Sequence, residues 1–238
     1  MKYIITFFVL YSATCFAQIT SGKITYKVTK EFNSDSDYYK FYKAQYPDCF
    51  YEEFTDEVEY VLEFTKEQSL FYTNTYNITN TSCIDKIGTV VGSMNADTYT
   101  LYTNKHYYNY MFHLGKHLMI ENQPFKWIIT DETKHIQNLT CYKAYFIEKI
   151  EYKSANTDNF PKTNIHTVWF TPELPFQYGP YEYFGAPGLI LEANNALGKY
   201  TYGVSKIEFN TENKNLKNNI DKLENVSKKT TLEEFTER

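Results

Sequence analysis

Apolar and polar residues alternate along most of this chain, and this period of two constrains the fold more than any other feature. From Ile24 to Thr29 every second side chain is apolar, and the pattern recurs with one doubled position from Val58 to Phe64. Because successive side chains of a strand point to opposite faces, this pattern predicts antiparallel sheet with one buried face. The predicted strands are Lys23–Val28, Val58–Phe64, Ser69–Thr75, Thr98–Thr103, Trp127–Thr130, Thr140–Tyr152, Ile165–Phe170, Leu189–Glu192 and Tyr200–Phe209.

The aromatic content supports a β fold. The chain has 238 residues, of which 24 are Tyr, 18 are Phe and 2 are Trp, and aromatic residues favour strands. No stretch shows the alternation of helix and strand that a parallel sheet requires. Strands in meander order have to curl or close to avoid long unpaired edges. We therefore predict an all-β fold, a curled antiparallel sheet that forms an open half-barrel or bowl, with a two-sheet β-sandwich as the alternative.

Two segments depart from the alternation. Residues 37–54 are rich in Tyr, Lys and acidic residues, and they predict a small helical insertion. Near the C-terminus, apolar residues recur at helical spacing, namely Leu216, Ile220, Leu223 and Val226. No Gly/Ser-rich or Pro-rich linker divides the chain. We therefore predict a single antiparallel β domain over residues 18–210, followed by a polar C-terminal tail or helix over residues 211–238.

The first 17 residues have the pattern of a secretory leader. A short basic start, Met1-Lys2, precedes the apolar run Tyr3–Tyr11, and small residues stand at the cleavage-determining positions up to Ala17. Cleavage before Gln18 would remove the segment as a signal peptide. We therefore predict an exported protein that resides in the periplasm or at the outer membrane.

A lipid anchor at Cys15 is the less favoured alternative for this leader, because Ser12 stands where a lipobox has Leu. The apolar run is far shorter than the roughly 20 residues that a membrane-spanning helix needs. The mean hydropathy of the chain is also polar, at -0.53. We do not expect an integral membrane protein.

Three cysteines remain after the predicted cleavage site. Cys49 and Cys83 lie in polar, turn-rich surroundings, and an exported protein meets an oxidising compartment, so these two are the disulfide candidates. Cys141 lies in a strand-like run, where we expect a buried free thiol.

Charge and motif content argue against several classes of function. The formal net charge is -5, and it becomes -6 without the leader (23 basic against 29 acidic residues), so we expect no nucleic-acid partner. His113 and His117 flank a Gly turn without a third ligand nearby, and we predict no metal site and no cofactor. No nucleophile elbow, P-loop or dinucleotide fingerprint occurs, so we predict no catalytic residues and favour a protein that is not an enzyme.

An ordered set of segments in the second half carries a resemblance to a known family. The last of them contains Gly185-Ala186-Pro187-Gly188-Leu189-Ile190, and the set is Phe125–Ile136 (strand, acidic turn, strand), Cys141–Ala144, Val168–Pro175 and Gly179–Glu192. This set resembles the GLPGLI family of small exported proteins of Bacteroidota, with Ala186 in place of the Leu of its name-giving motif. The resemblance covers roughly Phe125–Phe209, and before it only Gly22–Tyr26.

The resemblance implies an all-β envelope component without a settled activity, often a neighbour of TonB-dependent outer-membrane receptors. It transfers no catalytic residue. Candidate partners are therefore an outer-membrane receptor or another envelope protein, with a peptidic or apolar ligand. A carrier of a lipid or other apolar ligand in the sheet cradle, and a metal-dependent or acid/base hydrolase, are the alternative functions.

The motif itself has a structural interpretation. Pro187 fixes its own backbone and disfavours helix before it, while Gly185 and Gly188 permit positive φ or close backbone approach. With Gly179 and Pro180 they form a rigid turn that leads into a buried strand. We favour this structural role over a ligand-binding turn.

Five aromatic residues are the candidate ligand or partner surface: Trp127, Trp169, Tyr178, Tyr181 and Tyr183. Tyrosine and tryptophan suit such a surface because each has an apolar ring and a polar group that can find a partner. The alternative is that these side chains are core or rim residues of strands.

Overall fold

The computed structural model describes residues 19–30, 40, 43–44, 59–74, 99–150, 163–196 and 200–236. Disulfide candidates Cys49 and Cys83 lie outside these residues, as does most of the predicted helical insertion, of which Lys40, Lys43 and Ala44 are helical. Cys141 is buried and takes part in no disulfide.

The described strands form one sheet. They are β1 Ser21–Lys30, β2 Glu59–Thr65, β3 Ser69–Asn74, β4 Tyr99–Thr103, β5 His106–His113, β6 Lys116–Asn122, β7 Ile128–Ile136, β8 Leu139–Lys149, β9 Thr163–Thr171, β10 Leu189–Asn195, β11 Tyr200–Phe209 and β12 Lys228–Thr231. The order across the sheet is β12-β6-β5-β4-β3-β2-β1-β11-β10-β9-β8-β7. All neighbouring pairs are antiparallel except β12 with β6.

The predicted fold class is confirmed. The sheet curls without closing into a barrel, and its strands form one sheet instead of the two sheets of the alternative sandwich. The first strand pairs with the last long one, β1 with β11, so residues almost 190 positions apart become neighbours, as in Gly22 opposite Phe209. This pairing joins the two meanders β1–β6 and β7–β11 into a continuous surface.

One local prediction is wrong. The acidic pair Asp131 and Glu132 was expected at a tight turn between two strands, but β7 runs through both residues. They lie in a register irregularity of the β7–β8 ladder, and the chain turns at Gln137 and Asn138, both of which have positive φ. Asn tolerates this conformation better than most residues, which favours the later turn.

The sheet has a different cover on each face. Leu70 and Phe71 are neighbours on β3 and therefore point to opposite faces. Phe71 belongs to the larger core, which the segment between β9 and β10 completes. We call this side the loop face. Leu70 belongs to a smaller core that helix α1 (Leu216–Val226) completes through Leu216 and Ile220, and we call this side the helix face.

The C-terminal residues add two further elements to the sheet. After α1, strand β12 pairs in parallel with β6, and a short helix α2 (Leu232–Thr236) follows. The apolar residues at helical spacing therefore do form a helix, as predicted, although the strand after it was not expected. Where the β domain ends remains a prediction. In the described part of the chain, no helix is long and apolar enough to cross a membrane.

Candidate functional site

The β9–β10 loop, residues 172–188, lies over the loop face. Its side chains Leu174, Phe176 and Tyr178 are buried in the larger core. The amide of Leu189 donates to the Leu174 carbonyl at 2.9 Å, and the amide of Ile190 donates to the Tyr178 carbonyl at 2.9 Å. The loop is thus held along the start of β10 by backbone hydrogen bonds and by apolar burial.

The glycines of the predicted structural motif lie where backbone segments meet closely. A Cβ on Gly188 would overlap the Thr171 carbonyl, and a Cβ on Gly179 would overlap the Tyr183 carbonyl. Gly185 has a φ of +80°, and a Cβ there would overlap Pro124. The structural role of this motif remains a prediction.

The two prolines of the motif have different environments. Pro180 is buried, and its carbonyl accepts a hydrogen bond from the amide of Tyr183 at 3.0 Å. Pro187 is exposed. The turn from Pro180 to Tyr183 therefore contains the partly exposed Tyr181 and Glu182, whereas the Pro187 corner reaches the surface.

The structure brings Trp127 and Tyr183 together, and Tyr181 lies in the same loop as Tyr183. Trp127 Nε1 donates to the carbonyl of Phe184 at 2.9 Å, and its ring lies 6.4 Å from that of Tyr183. Tyr181 is half-buried in the same loop and has a φ of 52°. Trp127 is therefore fixed to the segment that presents Tyr181 and Tyr183.

The other two aromatic candidates lie elsewhere. Trp169 is on the opposite face of β9, where the Lys134 ammonium is 4.4 Å from its ring centre. Tyr178 is buried among Phe64 and Tyr102, and its hydroxyl donates to the Lys66 carbonyl at 3.3 Å. Neither side chain takes part in a shared surface with Tyr181.

Beside the loop, polar residues occupy core-facing positions of four adjacent strands. Register places Glu148 of β8 opposite Asn164 of β9, His166 opposite Asn195 of β10, and Asn195 opposite Tyr200 of β11. These five residues, together with Tyr181, Glu182 and Tyr183 of the loop, are called the polar cluster below. A row of polar groups within an otherwise aromatic core needs internal partners, because buried polar atoms are costly when unsatisfied.

His166 is the centre of the polar cluster. Its side chain is only 3% exposed, and its Nε2 lies 3.0 Å from the Glu148 carboxylate. Its Nδ1 lies 3.2 Å from the Tyr183 hydroxyl. The ring of Phe125 stacks on the imidazole with centroids 5.0 Å apart. These contacts hold the imidazole between Glu148 and Tyr183.

The hydrogen-bonded contacts continue across the sheet. The hydroxyls of Tyr183 and Tyr200 interact, and the Asn195 amide donates to the Tyr200 hydroxyl at 3.2 Å. Burial raises the pKa of the Tyr183 hydroxyl. Burial, followed by the charge of Glu182, raises the pKa of Tyr200 to about 12. Both tyrosines therefore stay neutral at ordinary pH.

Glu182 differs from the rest of the polar cluster. Burial, and then the charge of Glu148, raise the pKa of its carboxyl to about 7. Within the described residues, neither Glu182 nor Glu148 forms an ion pair with a lysine. Glu182 is partly exposed, and its carboxyl is not among the buried polar atoms that lack a hydrogen-bond partner in the described residues.

The polar cluster has a buried back and an accessible front. His166 and Tyr183 are buried, whereas the Glu148 side chain is 47% exposed and Tyr181 and Glu182 are partly exposed. The buried residues His166 and Tyr183 can orient the residues at the front, but they cannot contact a ligand unless the loop moves away. The front presents two carboxyls and a phenol, which can accept or exchange protons and bind a group from solution. No set of three potential metal ligands converges within the described ranges.

A second feature lies on the helix face. A cleft of about 320 Å³ opens between α1 and strands β3 and β4. It is lined by Leu70, Tyr72, Tyr99, Asn219, Lys222 and Leu223. Its floor is apolar, and it is separated from the polar cluster by the sheet.

Sequence reasoning missed the main residues of the polar cluster. Of its eight members, only Tyr181 and Tyr183 were among the candidates from the sequence. The available signal was that Asn164 and His166 alternate with Val168 and Phe170, so polar residues stand at core-facing positions of a strand. Their partners on three other strands become apparent only when the register is known.

A family model described as a protein of unknown function, Porph_ging, matches residues 127–192. The matched segment contains Glu148, Asn164, His166 and the loop residues of the polar cluster. It also lies within the stretch on which the resemblance to the GLPGLI family rests. No curated protein sequence matches the chain.

Two solved structures share the fold. The structure of PNGF-II in space group P21 has a TM-score of 0.53 at 14% identity and covers 92% of this chain and 32% of PNGF-II. The structure in space group C2 has a TM-score of 0.51 at 13% identity and covers 89% of this chain and 31% of PNGF-II. The chain thus spans about a third of the length of that protein. At this identity the likeness shows a common fold.

Proposed function

We propose that this chain is an exported, non-enzymatic binding component of the bacterial envelope, of the GLPGLI type found in Bacteroidota. It resides in the periplasm or at the outer membrane. It recognises a partner protein or a peptidic ligand through Trp127, Tyr181 and the front of the polar cluster. An outer-membrane receptor is the candidate partner that the family resemblance suggests.

The arrangement of the polar cluster carries this proposal. A fixed, buried set of hydrogen-bonded groups supports an accessible front, as expected of a binding site whose geometry exists before the ligand arrives. His166 holds Glu148 at 3.0 Å, and Trp127 holds the loop at Phe184. Both anchors act on the groups that face solvent.

Two further observations support the proposal. The leader predicted over residues 1–17 favours export. The segment matched by the family model also contains most of the polar cluster and the loop, whereas the helix face lies largely outside it. A shared family function is therefore better sought at this end of the sheet than at α1.

Site-specific photo-crosslinking in the native host tests the binding surface. A photoreactive residue replaces Tyr181 in one variant and Ile165, which is 45% exposed on the opposite face, in the control. We expect a discrete crosslinked species from position 181 that is absent from position 165. Equal crosslinking from both positions, or none from position 181, contradicts the proposal.

Cell fractionation and N-terminal sequencing test the proposed export. The mature protein is expected in the envelope fraction with Gln18 as its first residue, and a chain that retains Met1 in the cytoplasm contradicts this part. Hydrolysis of a peptide or glycan panel that disappears in Glu182→Gln would contradict the non-enzymatic part.

A carrier of an apolar ligand is the second candidate function. The cleft beside α1, at about 320 Å³, lies at the lower end of ligand pockets of roughly 300–1,000 Å³. It lies on the helix face and not in the sheet cradle expected from the sequence, which the β9–β10 loop occupies. Leu223→Trp should fill the cleft, and native mass spectrometry should then show loss of any co-purifying lipid. Retention of the lipid in this variant excludes the cleft as its site.

A further inference from the structure

The cleft between α1 and strands β3 and β4 has an apolar floor and a polar rim. Leu70 is 2% exposed and belongs to the core beneath α1, and Leu223 packs against the same core. Asn219 and Lys222 of α1 supply the polar part of the lining. A concave surface of this composition suits a small ligand that is apolar along most of its length and polar at one end.

The tyrosines of the lining, Tyr72 and Tyr99, add aromatic rings to the apolar floor. The Tyr72 hydroxyl donates to the Glu63 carboxylate at 3.1 Å, so its proton is already used within the protein. Tyr99 packs edge-on against Tyr110, with ring centroids 5.5 Å apart. The Glu63 carboxylate places a negative charge at the Tyr72 hydroxyl, and this charge repels an anionic group from that side of the cleft.

Lys222 is the charged group of the rim, and within the described ranges it forms no ion pair. Residues three and four positions away on a helix are neighbours, and for Lys222 none of them is acidic: Asn218, Asn219, Asn225 and Val226. The side-chain amide of Asn219 likewise makes no hydrogen bond to another described residue. The N–H donors of the rim therefore remain available to a ligand.

We propose that this cleft binds the anion of a single-chain fatty acid. The Lys222 ammonium and the Asn219 amide hold the carboxylate, and the acyl chain lies on Leu70 and Leu223. A volume of about 320 Å³, near the lower limit for ligand pockets, fits one acyl chain of medium length and not a two-chain lipid. This inference rests on the second candidate function, the carriage of an apolar ligand, and names the head group that the cleft selects.

The charges around the cleft set the direction of the bound chain. Lys222 attracts the carboxylate, whereas Glu63 repels it. A neutral alcohol of the same chain length keeps the apolar contacts but loses the ion pair, and an alkylammonium ion is repelled by Lys222. A comparison of three head groups on one chain therefore separates the contribution of charge from that of apolar burial.

Calorimetric titration of the purified mature chain with decanoate, decanol and decylammonium, each below its critical micelle concentration, tests this inference. We expect decanoate to bind about tenfold more tightly than decanol, because a charge-assisted hydrogen bond is added, and decylammonium to bind most weakly. Octanoate should bind more weakly than decanoate, by about two- to fourfold for each methylene removed.

Three variants locate the site. Lys222→Met keeps an apolar stem and removes the charge, so it should weaken decanoate by about tenfold and leave decanol unchanged. Lys217→Met is the matched control in the same helix, because Lys217 lies outside the lining and has Asp221 four positions on, and it should change neither ligand. Leu223→Trp should abolish the binding of both. Folding of each variant is checked by circular dichroism.

Other outcomes overturn the inference. They are the absence of decanoate binding, binding of decanol as tight as that of decanoate, or an effect of Lys222→Met on decanoate no larger than that of Lys217→Met. If decanol and decanoate bind equally and Leu223→Trp abolishes both, the carrier function stands and the selection of the head group fails. If none of the three ligands binds while Leu223→Trp still removes a co-purifying lipid, the inference fails and the carrier function again stands. Crosslinking from position 181 reports on the loop face and is independent of these results.

Discussion

The two faces of this sheet are built from the same strands but stabilised in different ways. On the helix face, Leu70, Leu101 and Met119 meet Leu216 and Ile220 of α1 in a small core of aliphatic and tyrosine side chains. On the loop face, a larger aromatic core ends in a hydrogen-bonded row of Glu, Asn, His and Tyr residues.

The difference indicates where function is to be sought. A small apolar core contributes stability in proportion to the area that it buries. A buried polar network contributes little net stability, because each group must first lose its water. A chain that retains such a network departs from simple core packing, and such departures are most frequent at functional sites. We therefore place the proposed binding function on the loop face.

The largest expected effect comes from Gly188→Ala. The added Cβ would overlap the carbonyl of Thr171, which is backbone and cannot rotate away. We expect urea unfolding to show a loss of about 3 kcal/mol in the free energy of unfolding. Gly203→Ala is the matched control, because a Cβ there meets no atom within 4 Å, and it should change stability by less than about 0.5 kcal/mol. Equal effects in the two variants would refute a structural role for the motif.

Ile220→Ala tests the helix face. Ile220 is 0% exposed in the core between α1 and the sheet, and its truncation should cost about 2 kcal/mol at every pH between 5 and 9. Val226→Ala in the same helix, at a position that is 57% exposed, should cost less than about 0.5 kcal/mol. A loss that varies with pH would show that the helix face also depends on titrating groups, and would weaken the contrast between the two faces.

The smallest predicted effect, and the one most specific to the loop face, is the pH dependence of stability due to Glu182. The folded chain raises the pKa of this carboxyl from 4.5 to about 7, so the folded state binds the proton more tightly than the unfolded state does. The contribution of the protonated form is fully present below about pH 4.5 and is lost as the pH rises through about 7. Stability should therefore fall over this interval.

Glu182→Gln should remove that fall. A pKa shift from 4.5 to about 7 corresponds to about 3 kcal/mol in the free energy of unfolding. We expect a change of about 1–2 kcal/mol, because the side chain is partly exposed and solvent reduces the effect. Thermal or urea unfolding at pH 5 and pH 8.5 should show the variant close to the parent at the lower pH and more stable at the higher pH. Lys134→Met, on the opposite face, provides the control. It should change the free energy of unfolding by the same amount at pH 5 and at pH 8.5. A parent chain equally stable at both pH values would contradict the environment described for Glu182.

Much of the fold followed from local pattern. Alternation from Ile24 to Thr29 predicted β1, and helical spacing from Leu216 to Val226 predicted α1, because both patterns report which side of one element is buried. The Asp131-Glu132 pair was misplaced because its composition suits a turn, while the ladder between β7 and β8 accommodates it as an irregularity. Strand β12 was not expected, since four residues in a polar tail carry too little pattern.

The candidate site followed much less from pattern. The predicted surface of Trp127, Tyr181 and Tyr183 stays a prediction, and Trp169 and Tyr178 were grouped with them on residue type alone. The face that each occupies depends on register, and a change of one residue reverses it. His166, Glu148 and Glu182 were missed because each acquires its role from residues on other strands.

The amino-acid sequence by itself determined that this protein is a sheet of short strands with a buried aromatic side and an amphipathic helix near its end, since periodicity acts within each element. Only the tertiary structure decided that β1 lies beside β11, that the β9–β10 loop covers the sheet, and that His166 lies between Glu148 and Tyr183. Such contacts join residues that are far apart in the chain. The free energy that selects them arises from burial and strand pairing across the whole sheet, so the pattern of a single segment cannot predict them.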